Sequence, residues 1–317
     1  ERGQLTTIED GCGKSVGGAV CNVGIDLKRL MPDTEICALG LVGDDDSGRY
    51  ALSVMEDEGV NTSLVGKKGA TSFTYVMSDK ISRERTFFQY RGANAHFSED
   101  SFNWDDIDCD LIHIAYILLL DELDKEDREY GTKMARLLAH AKERGIKTSI
   151  DVVSETGERF GRLVPPALRY TDYCIINEIE ASRSTGIQLR AEDGALIYEN
   201  VKKVLSKLFE LGVSEWAVIH SPEGGFGMDK DGDYAECGLV YTPSGFIKGK
   251  VGAGDAFCAG VLSAAHRGLS LLDAVKLGNA AATVSLRSPG ATEAMETIEE
   301  TMRICSELGF EPVKLNK

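Results

Sequence analysis

"YGTKMARLLAHAKERGIKTSID", residues 130–151, decides the fold. Tyr130, Met134, Leu137, Leu138 and Ala141 recur at the three- and four-residue spacing that puts them on one face of a helix. Gly145 stops that helix, and "IKTSID" (146–151) then reads as a strand. The same order returns in "ENVKKVLSKLFELG" (199–212). There Val201, Val204, Leu205 and Leu208 share a face, Gly212 ends the helix and "EWAVIH" (215–220) follows. "DYCIIN" (172–177) and "LIHIAYILLL" (111–120) are further short apolar runs, and "DAFCAGVLSAAHRG" (255–268) and "SLLDAVKLGNAAATVSL" (270–286) are helical. Repeated helix–glycine–strand units mean parallel β/α/β crossovers, hence a layered α/β domain.

Two segments break the pattern. Residues 1–16 and 70–90 ("ATSFTYVMSDKISRERTFFQY") alternate residue types with period two, which predicts antiparallel strands. They read as a small β-structure, over 1–16 and 70–94, attached to the main α/β body over 17–69 and 95–317. With 317 residues the chain can bury a substantial core, and 43% hydrophobic with 27% charged residues suits a soluble globular protein. The net charge of −16 disfavours nucleic acid and anionic membrane surfaces as partners. The apolar run at 111–120 is too short to span a bilayer. Eight scattered cysteines without a C-x-x-C suggest reduced thiols and a cytoplasmic home, and the five histidines share no zinc-ligand spacing. No secretory leader is legible at the start, although the chain opens on Glu1 rather than Met.

Two glycine-rich signals compete for phosphate. "GCGKS" (11–15) ends like a P-loop, but the first glycine of G-x-x-x-x-G-K-[ST] would fall on Ile8, and Gly17-Gly18 spoil the helix that should follow. "KVGAGDAFCAGVLSAAHRG" (250–268) is the stronger site. Gly252, Ala253 and Gly254 run straight into a helix starting at or near Asp255, where free amides and the helix dipole attract anions without a lysine. Asp255, beside that spot, could take the proton of an attacking hydroxyl. On these residues alone, an N-cap on a tight turn explains the stretch equally well.

"GAGDAFCAG" (252–260) resembles the C-terminal signature of the ribokinase-like (PfkB) carbohydrate kinases, and "GGAVCNVGIDLKRL" (17–30) their N-terminal glycine-pair signature. Asn177-Glu178-Ile179-Glu180 is similar to the family's N-x-x-E, "ALGLVGDDDSGRYALSVMEDEGV" (38–60) to its strand–GxDxxG–helix block, and "RTFFQYRGAN" (85–94) to its lid-return segment. The resemblance covers nearly the whole chain, with the motifs in order. It implies a three-layer αβα sandwich with a mostly parallel central sheet and a β-sheet lid. The activity implied is transfer of the γ-phosphoryl group of ATP, with Mg²⁺, to a hydroxyl of a small carbohydrate of the ribose, fructose or 2-keto-3-deoxygluconate type. A nucleoside or vitamin kinase of the same fold, or a non-catalytic sugar-binding regulator, are the alternatives.

By the same resemblance, Asp255 would be the general base, and Gly252, Ala253 and Gly254 the anion hole. Asn177 and Glu180 would position Mg²⁺ through water, although Glu180 also suits a plain first-turn glutamate. Gly17, Gly18 and Asn22 would meet the sugar, with Arg91 and Asn94 closing the pocket from the lid side and Asp121, at a strand end, gripping a hydroxyl. Arg91 would pair bidentately with a sugar carboxylate or simply stay in solvent. In "HSPEGGFG" (220–227), Gly225 would anchor the nucleotide loop with His220 and Glu223 nearby, and Asn279 would approach the adenine or merely pack its helix. His220 and Pro222 depart from the family's usual small hydroxyl residue and glycine. The family also begins with an aspartate-bearing strand some twenty residues before the glycine pair, where this chain has only sixteen residues and none forms it. Its usual Asp-Thr-Thr is here Gly249-Lys250-Val251, so Lys250 could add a cation near the phosphates. Free lid edges invite pairing, which makes a homodimer through the lids an expectation.

Overall fold

Short apolar runs bounded by polar residues supply the strands, and amphipathic segments between them the helices. A computed structural model describes residues 7–8, 11–78, 85–153 and 157–313. The first part of the chain forms α1 (Ala19–Leu30), β1 (Cys37–Val42), α2 (Asp46–Asp57), β2 (Asn61–Lys67), β3 (Phe73–Ser78), β4 (Arg85–Tyr90) and β5 (Leu111–Ile117). A two-residue pair, β6 (Glu126–Asp127) and β7 (Gly131–Thr132), precedes α3 (Lys133–Glu143), β8 (Lys147–Val152), α4 (Phe160–Leu168), β9 (Tyr173–Asn177) and α5 (Glu178–Thr185). Then come α6 (Val201–Leu211), β10 (Trp216–Ser221), β11 (Gly224–Asp229), β12 (Tyr234–Gly238), α7 (Ala253–His266), α8 (Leu271–Ser285) and α9 (Ile298–Leu308). The 130–151 unit falls into place with one adjustment: Thr132 caps α3 by accepting from the Ala135 amide at 3.1 Å, so the helix starts at Lys133.

Six strands make the central sheet in the order β12-β11-β10-β9-β8-β5. β5, β8, β9 and β10 are parallel, and β11 and β12 extend the sheet antiparallel. Alternation along each strand feeds two cores. Cys174, Ile176, Ala217 and Ile219 join Leu138, Val164, Ala181 and Leu205 of α3 to α6. Ile175 and Val218 meet Val23, Phe257 and Val275 of α1, α7 and α8 on the other face. The result is the expected αβα sandwich with a mostly parallel sheet. β1 and β2 form a separate parallel pair, packed by α1 and α2 through Ile25, Ala38, Met55 and Val60.

β3 and β4 form the expected antiparallel sheet, in register from Phe73 opposite Tyr90 to Tyr75 opposite Phe88. Residues 79–84 lie outside the described residues. Tyr75, Val76, Met77, Phe87 and Phe88 are all about half exposed or more, so both faces of this ribbon are apolar. The strand expected over 1–16 does not appear in the part of it that is described, residues 7–8 and 11–16. Residues 11–17 form no strand, and residues 1–6 and 9–10 lie outside the described residues. Gly11, Gly13 and Gly17 leave that stretch with few side chains to pack and much backbone entropy to lose. Among the described residues the antiparallel sheet here is β3 and β4.

The base of the ribbon is clasped. Asp45 caps α2 through the Gly48 amide at 2.8 Å and accepts from the Thr71 amide (2.8 Å) and hydroxyl (2.6 Å). These bonds, the Thr71 hydroxyl first, hold the Asp45 carboxyl down at about 2. Ser72 donates to the Arg91 carbonyl at 2.5 Å, and the Ala93 amide donates to the Ala70 carbonyl at 2.8 Å. Both legs of the lid are thus tied to each other and to α2. No helix among the described residues is long and apolar enough to cross a membrane.

Candidate active site

The start of α7 is built for an anion. Gly252 caps it at φ 77°, and a side chain there would begin 2.7 Å from Ala291 Cβ, so the turn needs glycine twice over. The first bond of the helix runs from the Ala256 amide to the Gly252 carbonyl at 2.8 Å. The amides of Ala253, Gly254 and Asp255 therefore stand outside the ladder at the positive end of the dipole. Asp255 projects from this first turn. Asn22 Nδ2 of α1 donates to its Oδ2 at 2.8 Å, and the Tyr116 hydroxyl of β5 donates to its Oδ1 at 2.5 Å. Burial lifts the Asp255 carboxyl above its ordinary range, against the two donors, which favour the charged form. A carboxylate with raised proton affinity, held beside an amide cradle, is equipped to take a proton while charge collects on a neighbouring phosphoryl group.

The carboxyl ends of the parallel strands converge on the same region. Asp151 ends β8 apart from one residue, Asn177 ends β9, and His220 sits opposite Asn177 in β10. In open α/β sheets ligands bind at such ends. Asn177 and Glu180 form a capping box: Asn177 Oδ1 accepts from the Glu180 amide at 2.9 Å, and Glu180 Oε2 accepts from the Asn177 amide at 2.9 Å. Asp151 is buried, and burial with the Glu180 and Asp255 charges drives its carboxyl well above the usual range. Among the described residues no three acidic, cysteine or histidine side chains cluster closely enough to hold a metal directly. The donors present are all oxygens, which fits a hydrated Mg²⁺ met through water.

With that geometry in view, a sequence profile of the pfkB family of carbohydrate kinases matches residues 3–298. This chain belongs to the pfkB family of carbohydrate kinases. As such it is a phosphotransferase with a hydroxyl acceptor. The kinase is 24% identical over 303 residues to the 5-dehydro-2-deoxygluconokinase of Geobacillus thermodenitrificans, a match covering 90% of this chain and 83% of that protein. It is 26% identical to the probable chloroplastic fructokinase-6 of Arabidopsis thaliana, over 90% of this chain and 73% of that one. Among solved structures, the 2-dehydro-3-deoxygluconokinase of Thermotoga maritima superposes with a TM-score of 0.75 at 19% identity, covering 92% of this chain and 90% of that one. The Arabidopsis thaliana ribokinase complexed with ribose and ATP gives 0.74 at 18% identity, covering 95% and 93%. These likenesses establish the ribokinase-like fold of the kinase.

Other residues singled out in the sequence fall into two groups. Gly17 and Gly18 lie on open backbone, Gly18 capping α1 at φ 80°, with Asn22 one turn into the helix. Arg91 and Asp121 form an ion pair with each other, and Asn94, in the turn Gly92–His96, is exposed. Lys250 is exposed and has no ion-pair partner among the described residues. The rest make contacts within the scaffold. His220 stacks on Phe257 with ring centroids 5.0 Å apart beneath Gly254, and burial lowers its pKa to about 4, so the ring is neutral at pH 7. Gly225, opposite His220, lies against Val275 and Phe257. Glu223 is taken up by Arg190 Nη1 and Nη2 at 2.5 and 2.9 Å, and Arg190 also grips Glu178 at 2.7 Å. Asn279 is buried, and both its donor hydrogens go to backbone carbonyls, of Cys237 (2.8 Å) and Gly238 (3.0 Å).

Sequence reasoning passes over Tyr116, Asp151, Arg190 and Asp26. Tyr116 is hidden inside the apolar run 111–120. Asp151 carries a usable signal, since an acid at the carboxyl end of a parallel strand stands where sites form. Asp26 carries another: on α1 it interrupts the buried stripe of Ala19, Val23 and Leu30, where an apolar residue is expected.

Proposed function

We propose that this kinase transfers the γ-phosphoryl group of ATP to a hydroxyl of a small sugar or sugar acid. The observation that carries the reading is the Asp255 carboxylate, fixed by Asn22 and Tyr116 next to the free amides of residues 253–255. In this reading Asp255 accepts the proton of the sugar hydroxyl, and the amides at Gly252 to Asp255 receive the charge that develops on the transferring group. Such preorganised donors are worth about 10²–10³ in rate each. Asn177, Glu180 and Asp151 would hold Mg²⁺ through water, and the ion would offset the charge of the nucleotide phosphates. Gly17, Gly18 and Asn22 would face the sugar. Closure of the lid would keep water from the γ-phosphate.

Within the sugars, a keto-deoxy acid is favoured. Arg91, paired with Asp121 at the foot of the lid, offers a guanidinium to a substrate carboxylate and an acceptor to its hydroxyls. The relatives named as kinases of dehydro-deoxygluconate support the same choice. A coupled ADP-release assay over keto-deoxy acids, ketoses, aldoses and nucleosides tests the reading. Turnover of a sugar or sugar acid is expected; turnover of nucleosides alone would make this a nucleoside kinase. Binding without turnover, seen as ligand-dependent melting shifts, would make it a sugar-binding regulator.

Two further expectations belong to this reading. Lys250→Ala should raise the KM for ATP about two- to fivefold, the worth of one exposed ion pair, with kcat little altered. Unchanged ATP kinetics would remove Lys250 from the nucleotide site. The ribbon of β3 and β4 is read as a homodimer contact, since its exposed apolar side chains suit a partner and strand edges invite pairing. Tyr75→Glu combined with Phe88→Glu, a cross-strand pair, should yield a monomer in sedimentation experiments. A molar mass identical to that of wild type would refute the contact. The eight free cysteines suit a reducing, cytoplasmic compartment.

A further inference from the structure

Asp26 lies at the heart of the α1–α7 contact with none of its surface exposed, and neither carboxyl oxygen has a hydrogen-bond partner among the described residues. An isolated buried carboxylate would be costly. Opposite charge does not relieve it. Arg29, on the same helix, engages Glu58 through Nε (2.8 Å) and Nη2 (2.7 Å) and the Thr292 and Glu293 carbonyls through Nη1. The remaining charged groups around Asp26 are acids: Asp255 from α7, Glu58 after α2 and Glu293 between α8 and α9. Tyr116 of β5 stands beyond Asp255 and is itself a donor to it.

A second unsatisfied atom sits one helical turn away. Asn22 Oδ1 is buried without a donor, while Nδ2 of the same amide donates to Asp255. Side chains four residues apart on a helix have Cβ atoms about 5–6 Å apart, within hydrogen-bonding reach of each other. A proton on Asp26 turns one of its oxygens into the donor that Asn22 Oδ1 lacks, so that of the three orphaned oxygens only the Asp26 carbonyl oxygen is left. Burial, followed by the repulsion of Asp255, pushes the Asp26 carboxyl up to about 8, with Arg29 opposing.

We infer that Asp26 is a neutral carboxylic acid whose hydroxyl donates to the Asn22 amide oxygen and so keeps the opposite end of that amide turned toward Asp255. Asp26 is then a positioning residue: it acts on the base through Asn22. When Asp26 loses its proton, the pair becomes two acceptors facing each other. Asn22 Nδ2 is drawn toward the new carboxylate, Asp255 loses one of its two donors, and a negative charge is added behind the base. The chain Asp26, Asn22, Asp255 is therefore set correctly below pH 8 and disrupted above it.

The inference rests on the kinase reading for its effect on rate but not for the protonation of Asp26, and the test separates the two. In kcat/KM against pH, wild type should show an alkaline limb near pH 8, and Asp26→Asn, neutral at every pH with an amide that can still donate to Asn22, should lack it. Asp26→Ala should lose about tenfold in turnover, the worth of one hydrogen bond, and Asp26→Asn should recover most of that loss. The second arm needs no substrate. Asp26 is neutral when folded and charged when unfolded between pH 4 and 8, so its contribution to stability is full below pH 4 and is lost as pH rises toward 8. The melting temperature of wild type should therefore fall across that range more steeply than that of Asp26→Asn. Parallel melting curves for the two proteins would overturn the inference whether or not any sugar is turned over. So would an alkaline limb that survives in Asp26→Asn. Absence of turnover in wild type with every sugar would sink the kinase reading and leave the melting arm to decide Asp26.

Discussion

Asp255→Asn should cut turnover about 10²–10⁴-fold, the contribution of a positioned general base, while nucleotide affinity stays close to that of wild type. The substitution preserves shape and removes the ability to take a proton. It also disturbs the hydrogen bonding. Asn22 Nδ2 and the Tyr116 hydroxyl both donate to Asp255, and an asparagine presents an acceptor to only one of them. One donor is left facing another, which should lower stability by about 1–3 kcal/mol. Kinetics by ADP release, nucleotide titration by calorimetry and urea unfolding together separate these effects. A variant that keeps more than about a tenth of wild-type turnover would not have lost a base of this strength, and Asp255 would then be only a structural acceptor for Asn22 and Tyr116.

Gly252→Ala is the second substitution with a large expected effect. At φ 77° a side chain costs about 1–2 kcal/mol in backbone strain. Its Cβ would also begin 2.7 Å from Ala291 Cβ and 3.0 Å from the Ala291 carbonyl oxygen, so the segment after α8 has to move. The start of α7 must then tilt, and the amides of residues 253–255 lose their aim. A fall in kcat of about 10²-fold is expected, the loss of one well-aimed donor. Turnover should fall further than the shift in urea midpoint would explain. A variant that is merely less stable, with unaltered kcat below its melting temperature, would show that the turn is structural and the anion cradle lies elsewhere.

The parts of this molecule that are legible in the sequence are those whose causes are local. The helix–glycine–strand units at 130–151 and 199–220 announce themselves through spacing and a stop residue, and they assemble into the parallel sheet they imply. Gly252 to Asp255 are legible for the same reason, since a glycine turn and the helix it opens are neighbours in the chain. What is not legible depends on distant partners. Glu223 pairs with Arg190, thirty-three residues earlier, and Asn279 with the Cys237 carbonyl, forty-two residues earlier; nothing near either residue discloses these partners. Tyr116 reaches Asp255 across 139 residues from within a run that looks wholly apolar. The stretch 11–17 misleads in the other direction, because period-two alternation among glycines supplies no apolar face to bury.

The clasp at the foot of the β3–β4 ribbon has a consequence for how such an enzyme can change. Thr71 is held by Asp45, and the two legs are stitched together through Ser72, Arg91, Ala70 and Ala93 before the ribbon begins. The ribbon is thereby anchored at its foot by bonds in which its exposed side chains take no part. Replacing Tyr75, Val76, Met77 or Phe88 alters the surface offered to a ligand or another copy of the chain and leaves the Thr71–Asp45 and Ser72–Arg91 bonds untouched. Diversification can thus proceed along the exposed strands while these anchoring bonds stay in place.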